Sequence, residues 1–166
     1  MAKLTTLILL SLAVSMQAGL QAVPIPVPTN SFALGYGQNL TQDLGVTPAY
    51  IQRPSPGWAV VTEGVYVLTF YVTNQLPSYP GYYDVRINFG TQELCHAEAW
   101  ALKYSTKVIA VCPSPGYIVV DKSLPDGGPV QSGNNLVLSA TVPAWQLQFS
   151  NVSLEFHRSE SLYPYQ

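Results

Sequence analysis

The side chains best suited to bind a ligand are three tyrosines that lie close together in the sequence. Tyr79, Tyr82 and Tyr83 surround a Pro-Gly pair typical of a turn, and Asp84 and Asn88 follow them. A flat aromatic ring can cover the apolar face of a pyranose, whereas a carboxylate or an amide can bond its hydroxyl groups. These five residues therefore predict a sugar-binding cluster.

Other aromatic residues offer further ligand positions. Trp58 follows the Pro-rich segment 54–57, and we include it among the candidates. Trp100 and Tyr104 form a third group. For Tyr83 and Trp100 the alternative is a packing role, because large aromatic side chains mostly contribute to the core.

A glycosidase would need two carboxyl groups that face each other across a cleft. Glu93 with Glu98, or Asp84 with Asp121, could be proposed as such a pair. Nothing in their spacing requires a cleft, since the solvated outer face of a strand explains these residues equally well. We therefore predict a non-catalytic protein and keep a glycoside hydrolase as the least favoured alternative.

The two histidines, His96 and His157, give little support to a nucleophilic or metal site. A serine hydrolase needs a histidine beside an exposed serine, and the sequence has no Gly-x-Ser-x-Gly elbow. Two separated histidines and one cysteine pair also provide no tight set of zinc ligands. The sequence predicts neither a catalytic triad nor a metal site.

The amino-terminal segment has the parts of a secretory signal peptide. Lys3 supplies a positive charge, residues 4–14 form an apolar run, and small residues follow at Ala18 and Ala22. This run is too short for a bilayer, which needs about twenty apolar residues, and no second long run follows it. We predict a signal peptide over residues 1–22, cleaved after Ala18 or Ala22, and a secreted extracellular protein without a membrane span.

Secretion changes the interpretation of the two cysteines. An oxidising compartment lets Cys95 and Cys112 form a disulfide. Residues 101–106 between them could form the turn of an antiparallel pair and so place the cysteines opposite each other. We predict a disulfide that staples a hairpin, with two free buried thiols as the alternative.

Composition argues against a nucleic-acid partner and for one domain. The chain has 166 residues and is 48% hydrophobic, which is enough for a core. Only 10% of its residues are charged, with seven basic against nine acidic, so no basic patch is available for phosphate groups. We predict a single domain over residues 23–156 and a flexible tail over residues 157–166.

Short alternating segments separated by Gly and Pro predict an all-β chain. The alternation of apolar residues is clearest over residues 64–73 and 83–89. Residues 107–112, 116–120 and 136–142 are further candidate strands. Many short strands and no long helix favour a β-sandwich or a jelly roll.

The last candidate strand, residues 147–156, contains a slip in its alternation. Its apolar residues resume at Val152, three positions after Phe149 instead of two. One extra residue at Ser150 and Asn151 would keep both apolar sets on the core side. We therefore predict a β-bulge in a bent closing strand.

Two glycosylation motifs occur, Asn39-Leu40-Thr41 and Asn151-Val152-Ser153. Asn39 falls in a predicted surface segment. For Asn151 we favour slightly a structural role, in which the side chain bonds to the backbone at the bulge. Both asparagines remain candidates for N-glycosylation.

Five short motifs follow one another in a fixed order. They are Pro-Thr-Asn-Ser-Phe (28–32), Gln-Asn-Leu within 37–44, Tyr-x-Leu-x-Phe within 64–70, the strand and Gly turn of 84–94, and Phe-Ser-Asn-Val-Ser-Leu within 148–154. In this order they resemble the secreted galactose-binding-like modules, the jelly-roll domains related to carbohydrate-binding modules. The resemblance covers most of the mature chain and implies a galactose-binding-like β-sandwich that binds carbohydrate without catalysis.

The departures from that family limit what can be transferred. Ala33 stands where the family usually has a Glu that is associated with a structural calcium, so such a calcium is doubtful and we expect no cofactor. One loop is shortened at residues 34–36, and residues 50–60 look like an insertion. Because ligand sites on sandwiches lie on loops, no binding residue is carried over from the family.

These observations predict a secreted, non-catalytic binding module for cell-wall or extracellular carbohydrate. The alternative is an extracellular structural or protein-interaction protein that does not bind sugar, whose partner would be another extracellular protein.

Overall fold

The computed structural model describes four stretches of the chain, residues 22–48, 50–55, 58–119 and 135–159. They contain twelve β-strands and no helix, so no helix in this part of the chain could cross a membrane. The strands are β1 (Val23–Ile25), β2 (Phe32–Leu34), β3 (Asn39–Asp43), β4 (Tyr50–Ser55), β5 (Trp58–Val61), β6 (Gly64–Thr73), β7 (Gly81–Phe89), β8 (Gln92–Ala101), β9 (Ser105–Pro113), β10 (Tyr117–Val119), β11 (Leu136–Ala144) and β12 (Leu147–Arg158). The predicted signal peptide, apart from Ala22, and residues 160–166 of the predicted tail lie outside the described residues.

Two antiparallel sheets pack face to face as a sandwich. The front sheet has the order β1-β12-β6-β9, with β2 also paired to β12, and the back sheet has the order β3-β11-β7-β8. A small third sheet has the order β10-β5-β4. The chain passes between front and back sheets from β6 to β7, from β8 to β9 and from β11 to β12, as in a jelly roll. The predicted all-β sandwich is confirmed.

The core fills the space between the inner faces of the two sheets. β-Branched and aromatic residues alternate along β6 and β7, so every second side chain is buried. The ring of Phe70 on β6 meets the edge of Tyr83 on β7 at 5.6 Å, which joins the front sheet to the back sheet. Burial of one large apolar side chain stabilises a fold by about 1.5–3 kcal/mol. The core residues of these two strands are Tyr66, Leu68, Phe70, Val72, Tyr83, Val85, Ile87 and Phe89.

The predicted bulge is present in β12. Ser150 pairs with Tyr71 and Ser153 with Thr69, so two residues of β12 face one residue of β6. Asn151 has a φ of 52°, in the left-handed region that asparagine tolerates better than most residues. Its side chain is exposed, so the structural contribution of Asn151 comes from its backbone conformation. Whether its sequon carries a glycan stays a prediction.

The closing strand is longer than predicted. β12 continues to Arg158, which pairs with Gly64, so His157 and Arg158 belong to the front sheet and not to a flexible tail. The main-chain N–H of the next residue, Ser159, donates to the carbonyl of Glu63 at 2.9 Å. Pairing with the start of β6 therefore orders the first residues of the predicted tail.

The predicted disulfide between Cys95 and Cys112 is confirmed, with a Cα–Cα distance of 5.3 Å. The prediction that this disulfide staples a hairpin is wrong. Cys95 lies on β8, the edge of the back sheet, whereas Cys112 lies on β9, the edge of the front sheet. The intervening chain crosses from one sheet to the other instead of reversing within one. The bridge therefore ties the two sheets together along one open side of the sandwich.

Candidate functional site

The outer face of the back sheet brings together three of the predicted ligand residues. Because side chains alternate along a strand, Tyr82, Asp84 and Asn88 on β7 all point away from the core. Tyr83 points the opposite way and is only 5% exposed. Its ring lies among core side chains, so the structure removes Tyr83 from the set of ligand candidates and supports its packing role.

The neighbouring strand β8 adds functional side chains in register with these residues. Trp100 lies across from Tyr82, Glu98 across from Asp84, and His96 across from Arg86. Side chains directly opposite in an antiparallel pair lie on the same face of the sheet. We call this surface the polar face; it consists of Tyr82, Asp84, Arg86, Asn88, Glu93, His96, Glu98 and Trp100.

An ion-pair network occupies the centre of the polar face. Arg86 donates from Nε to Oδ1 of Asp84 at 2.8 Å and from Nη2 to Oδ2 at 2.9 Å, and its Nη1 lies 3.3 Å from Oε1 of Glu93. This two-point contact holds both carboxylate oxygens of Asp84. The hydrogen bonds from Arg86, together with the charge of nearby His96, lower the pKa of Asp84. Asp84 is therefore an ionised acceptor at neutral pH and not a proton donor.

His96 completes this network at close range. Its Nε2 atom lies 3.0 Å from Oδ1 of Asp84 and 3.7 Å from a carboxylate oxygen of Glu98. The same Nε2 makes no well-aligned hydrogen bond to a described residue, so the contact with Asp84 is mainly electrostatic. Because Nε2 is itself buried, this contact helps to position the imidazole and does not leave that atom open to a ligand.

Two aromatic rings form one end of the polar face. Tyr82 and Trp100 meet edge to face, with ring centroids 5.1 Å apart, and Trp100 is 55% exposed. A hydrogen bond to the carboxylate of Glu98 raises the pKa of the Tyr82 hydroxyl. This contact restrains the phenol ring, and the tyrosine in turn supports one edge of the indole. The rings therefore form a fixed apolar surface next to hydrogen-bonding groups.

Three residues of the polar face could in principle bind a cation. Asp84, His96 and Glu98 each offer a ligand atom, and these atoms lie within 4.8 Å of one another. However, the guanidinium of Arg86 already contacts both carboxylate oxygens of Asp84 and would repel a metal ion. We therefore propose no metal at this site.

The other predicted positions lie elsewhere. Tyr79 stacks on Trp145 in the turn between β11 and β12, with centroids 5.0 Å apart and an interplanar angle of 23°. Trp58 begins β5 in the small third sheet, and its side chain is outside the described part of the structure. Asn39 is exposed on the edge strand β3 and pairs with Thr141, which in turn pairs with Asp84. Its side chain therefore shares the outer side of the back sheet with the polar face.

Sequence reasoning missed the combination that defines the polar face. It paired Trp100 with Tyr104 and treated Glu98 and His96 as parts of unrelated hypotheses. The register of β7 and β8 places Trp100 next to Tyr82 instead. A clue was present in the alternation His96, Glu98, Trp100, which puts three functional side chains on one side of a strand.

Comparison with known proteins gives matches by structure alone. No protein-family model matches the sequence, and neither does the sequence of any curated protein. A CBM4 carbohydrate-binding module is similar to 78% of this chain and 96% of its own, at 11% identity and a TM-score of 0.42. The CBM22-1 and GH10 modules of Clostridium thermocellum xylanase 10B, solved with xylohexaose, are similar to 88% of this chain and 30% of their own, at 11% identity and a TM-score of 0.41.

A third similar structure is the C-terminal CBM6 module of the Zobellia galactanivorans laminarinase LamC. It is similar to 78% of this chain and 100% of its own, at 10% identity and a TM-score of 0.34. These likenesses add no argument about this chain, whose β-sandwich is shown by its own strand pairing. At such identities and TM-scores they identify no ligand and no binding residue.

Proposed function

We propose that this protein is a secreted, non-catalytic module that binds cell-wall or extracellular carbohydrate through the polar face. The observation that carries the proposal is the pair formed by half-buried Tyr82 and exposed Trp100, which lies in register with hydrogen-bonding side chains on β7 and β8. A sugar ring has an apolar C–H face and a rim of hydroxyls, and this surface offers partners for both.

The rigidity of the polar face supports this proposal. Its side chains lie on two long, paired strands, and Asp84, Arg86 and Tyr82 are already held by contacts to their neighbours. Binding to such a surface needs little further ordering of side chains, which lowers its entropy cost. A row of groups along a strand pair also suits an extended polysaccharide better than a small compact ligand.

The electrostatics of the polar face favour binding over hydrolysis. Glycoside hydrolysis needs one carboxylic acid with a raised pKa to protonate the leaving group. Arg86 does the opposite to Asp84, since its hydrogen bonds lower the pKa of that carboxyl group. Asp121, which the sequence offered as the partner of Asp84, lies outside the described residues.

Two sequence features support secretion. The amino-terminal segment has the pattern of a signal peptide, and the disulfide between Cys95 and Cys112 would persist in an oxidising compartment. Polysaccharides of cell walls and extracellular matrices are the carbohydrates that such a protein would meet.

The proposal is tested by affinity electrophoresis of the mature protein in gels that contain soluble β-glucans, xylans or mannans. Trp100→Ala should weaken binding at least tenfold, because a central aromatic anchor contributes about 2 kcal/mol or more to an interface. Tyr104→Ala is the matched control, since Tyr104 is 68% exposed but lies in the turn between β8 and β9. Absence of retardation for the unmodified protein on every polymer, or equal loss for both variants, would contradict the proposal.

A second candidate function is protein interaction through the outer face of the front sheet. The edge strand β9 exposes Ile109 and Val111 at 57% and 61%, and both lie beside β6. Exposed apolar side chains on an edge strand are a common feature of interaction surfaces. The second function replaces the first if the unmodified protein binds no glycan but captures an extracellular protein, and if Ile109→Ser abolishes that capture.

A further inference from the structure

We infer that the protein has a second ligand site, which takes a single neutral sugar residue or the end of a sugar chain. The site is an open pocket of ≈ 430 Å³ where β2, β6 and the turn between β11 and β12 meet. We call it the end pocket; its lining is Ala33, Leu34, Gly35, Gln38, Thr73, Gln75, Trp145, Gln146, Leu147 and Gln148. This inference does not depend on sugar binding at the polar face, since the two sites share no residue.

Four glutamines dominate the lining of the end pocket, and they come from separate parts of the chain. Gln38 belongs to the loop between β2 and β3, Gln75 follows β6, Gln146 directly precedes β12, and Gln148 is the second residue of β12. All four side chains are exposed, so a ligand can reach them from solvent. Each amide offers two donors and one acceptor with two lone pairs, which matches the mixed donor and acceptor character of sugar hydroxyls.

The neutral lining of the end pocket limits the class of ligand that it can bind. None of its lining residues is ionisable. A phosphate, a carboxylate or a cation would therefore lose its hydration there without gaining a charged partner. Sites for small ligands typically measure about 300–1,000 Å³, and the end pocket falls near the lower limit of that range. A neutral, hydroxyl-rich ligand of one or two rings fits both properties.

One side of the pocket is built around an aromatic residue in an unusual backbone conformation. Trp145 has a φ of 64°, which is rare for a large side chain, and its indole stacks on Tyr79. Its Nε1 is buried and has no hydrogen-bond partner among the described residues. Buried indole N–H groups usually have a partner, and strained residues persist mainly where the surrounding structure holds them for a purpose.

The remaining lining provides support and an apolar surface. Gln38 accepts a hydrogen bond from the main-chain N–H of Gly35 at 2.8 Å, which fixes its Oε1 and leaves its Nε2 for a ligand. Leu34 and Leu147 are buried and pair with each other across β2 and β12. A sugar in the end pocket would therefore find one fixed donor, Nε2 of Gln38, next to aliphatic groups.

NMR titration of the mature protein with methyl glycosides of glucose, galactose, mannose and xylose tests this inference. The chain has three tryptophans, so three indole N–H signals can be assigned with single Trp→Phe variants. At least one glycoside should shift the Trp145 signal saturably in the millimolar range. Gln146→Ala combined with Gln148→Ala should weaken that binding about tenfold or more, as expected when several hydrogen bonds to one ligand are lost.

Two controls keep the sites apart. Thr91→Ala, in the exposed turn between β7 and β8, should leave the Trp145 titration unchanged. Trp100→Ala should also leave it unchanged, even though that variant is expected to lose polysaccharide binding. The Trp145 titration would therefore still test the end pocket if the polar face bound no polysaccharide. If the double variant does not fold, Gln75→Ala replaces it, because Gln75 lies outside the strands.

The inference is overturned if no glycoside moves the Trp145 signal saturably. It is equally overturned if the shift persists with unchanged affinity in the folded glutamine variants.

Discussion

The polar face and the end pocket use different physical means to present hydrogen-bonding groups. On the polar face, charged side chains on two long paired strands hold one another in place, and Asp84 and Arg86 are already partners. In the end pocket, neutral amides from separate loops and strand ends surround a cavity, and only Gln38 has a described partner. An open, prearranged surface suits a polymer, whereas a neutral concave site suits one small ligand.

The two regions are also neighbours. Tyr82 of the polar face pairs with Ala144, the residue before Trp145 of the end pocket. A polysaccharide that reached both sites would therefore bind more tightly than it binds either site alone, whereas a single methyl glycoside would not link them. Four changes would separate the contributions of the two regions.

Removal of the disulfide should affect the polar face most. Replacement of Cys95 and Cys112 by Ser should lower the free energy of unfolding by about 2–5 kcal/mol, because the bridge constrains the unfolded chain. Cys95 is next to His96 on β8, so hydrogen exchange should increase along β8 and β9. The Trp145 titration below the unfolding temperature should persist. Denaturation curves that coincide with the unmodified protein would contradict this prediction.

Gly81→Ala should disturb the end pocket through its wall. A Cβ at Gly81 would come within 2.7 Å of the Leu147 side chain, which lines the pocket. Overpacking of this kind costs about 1–3 kcal/mol, and displacement of Leu147 should also weaken glycoside binding. Gly116→Ala is the matched control, because nothing lies within 4 Å of its added Cβ. Chemical denaturation of both variants, followed by the Trp145 titration, measures the two effects.

A glycan at Asn39 should interfere with the polar face, whereas one at Asn151 should not. Asn39 lies on the outer side of the back sheet, two strands from Asp84, and Asn151 lies on the bulge of the front sheet. In protein from a glycosylating host, Asn39→Gln should increase polysaccharide affinity a few-fold, since a bulky sugar would be removed from the edge of the ligand surface. Asn151→Gln should leave the affinity unchanged, and mass spectrometry reports the occupancy of each sequon.

The smallest effect concerns the pH dependence of Asp84. Its folded pKa is lowered, chiefly by hydrogen bonds from Arg86, so the stability that it contributes is present above the unfolded value of 3.8 and is lost as the pH falls through the lowered pKa. The polar face should therefore keep its ion pair from neutral pH down to about pH 4. Solvent screening limits the contribution, because 43% of the Arg86 side chain is exposed.

Arg86→Gln is the matching variant for the pH dependence. It should raise the pKa of Asp84, as measured by NMR of the carboxyl carbon, and should shift the acid-induced loss of polysaccharide binding to higher pH. The Trp145 titration should not change over the same range, because no ionisable group lines the end pocket. An Asp84 pKa that is identical in both proteins would contradict the role given to Arg86.

Much of the fold could be predicted because its signals are local. Alternation along β6 and β7 predicted two core strands, and the slip after Phe149 predicted the bulge of β12. The cysteine pair predicted the bridge, but the sequence could not tell a hairpin from a crossing between sheets. That distinction depends on which strands pair, and pairing is decided by contacts far apart in the chain.

The candidate sites were predicted less well, and particular residues show why. Proximity in sequence grouped Tyr79, Tyr82 and Tyr83, yet Tyr79 stacks on Trp145, Tyr82 lies on the polar face and Tyr83 lies in the core. Neighbouring residues on a strand point to opposite faces of the sheet, which separates Tyr82 from Tyr83. Tyr79 precedes the strand, so the turn sets the direction of its side chain. No sequence signal joined the four glutamines of the end pocket, because they come from three parts of the chain.

The class of this protein follows from its amino-acid sequence: an all-β sandwich with one disulfide, a bulged closing strand and a chain that carries few charges. These properties follow from residue type, period and phase, which act over a few neighbouring residues. The places where ligands could bind depend on the tertiary fold. The fold placed Trp100 across from Tyr82, brought Glu98 and His96 of β8 beside Asp84 of β7, and gathered the glutamines around Trp145. Binding surfaces arise from strand register and sheet packing, and these are set by the folded chain as a whole.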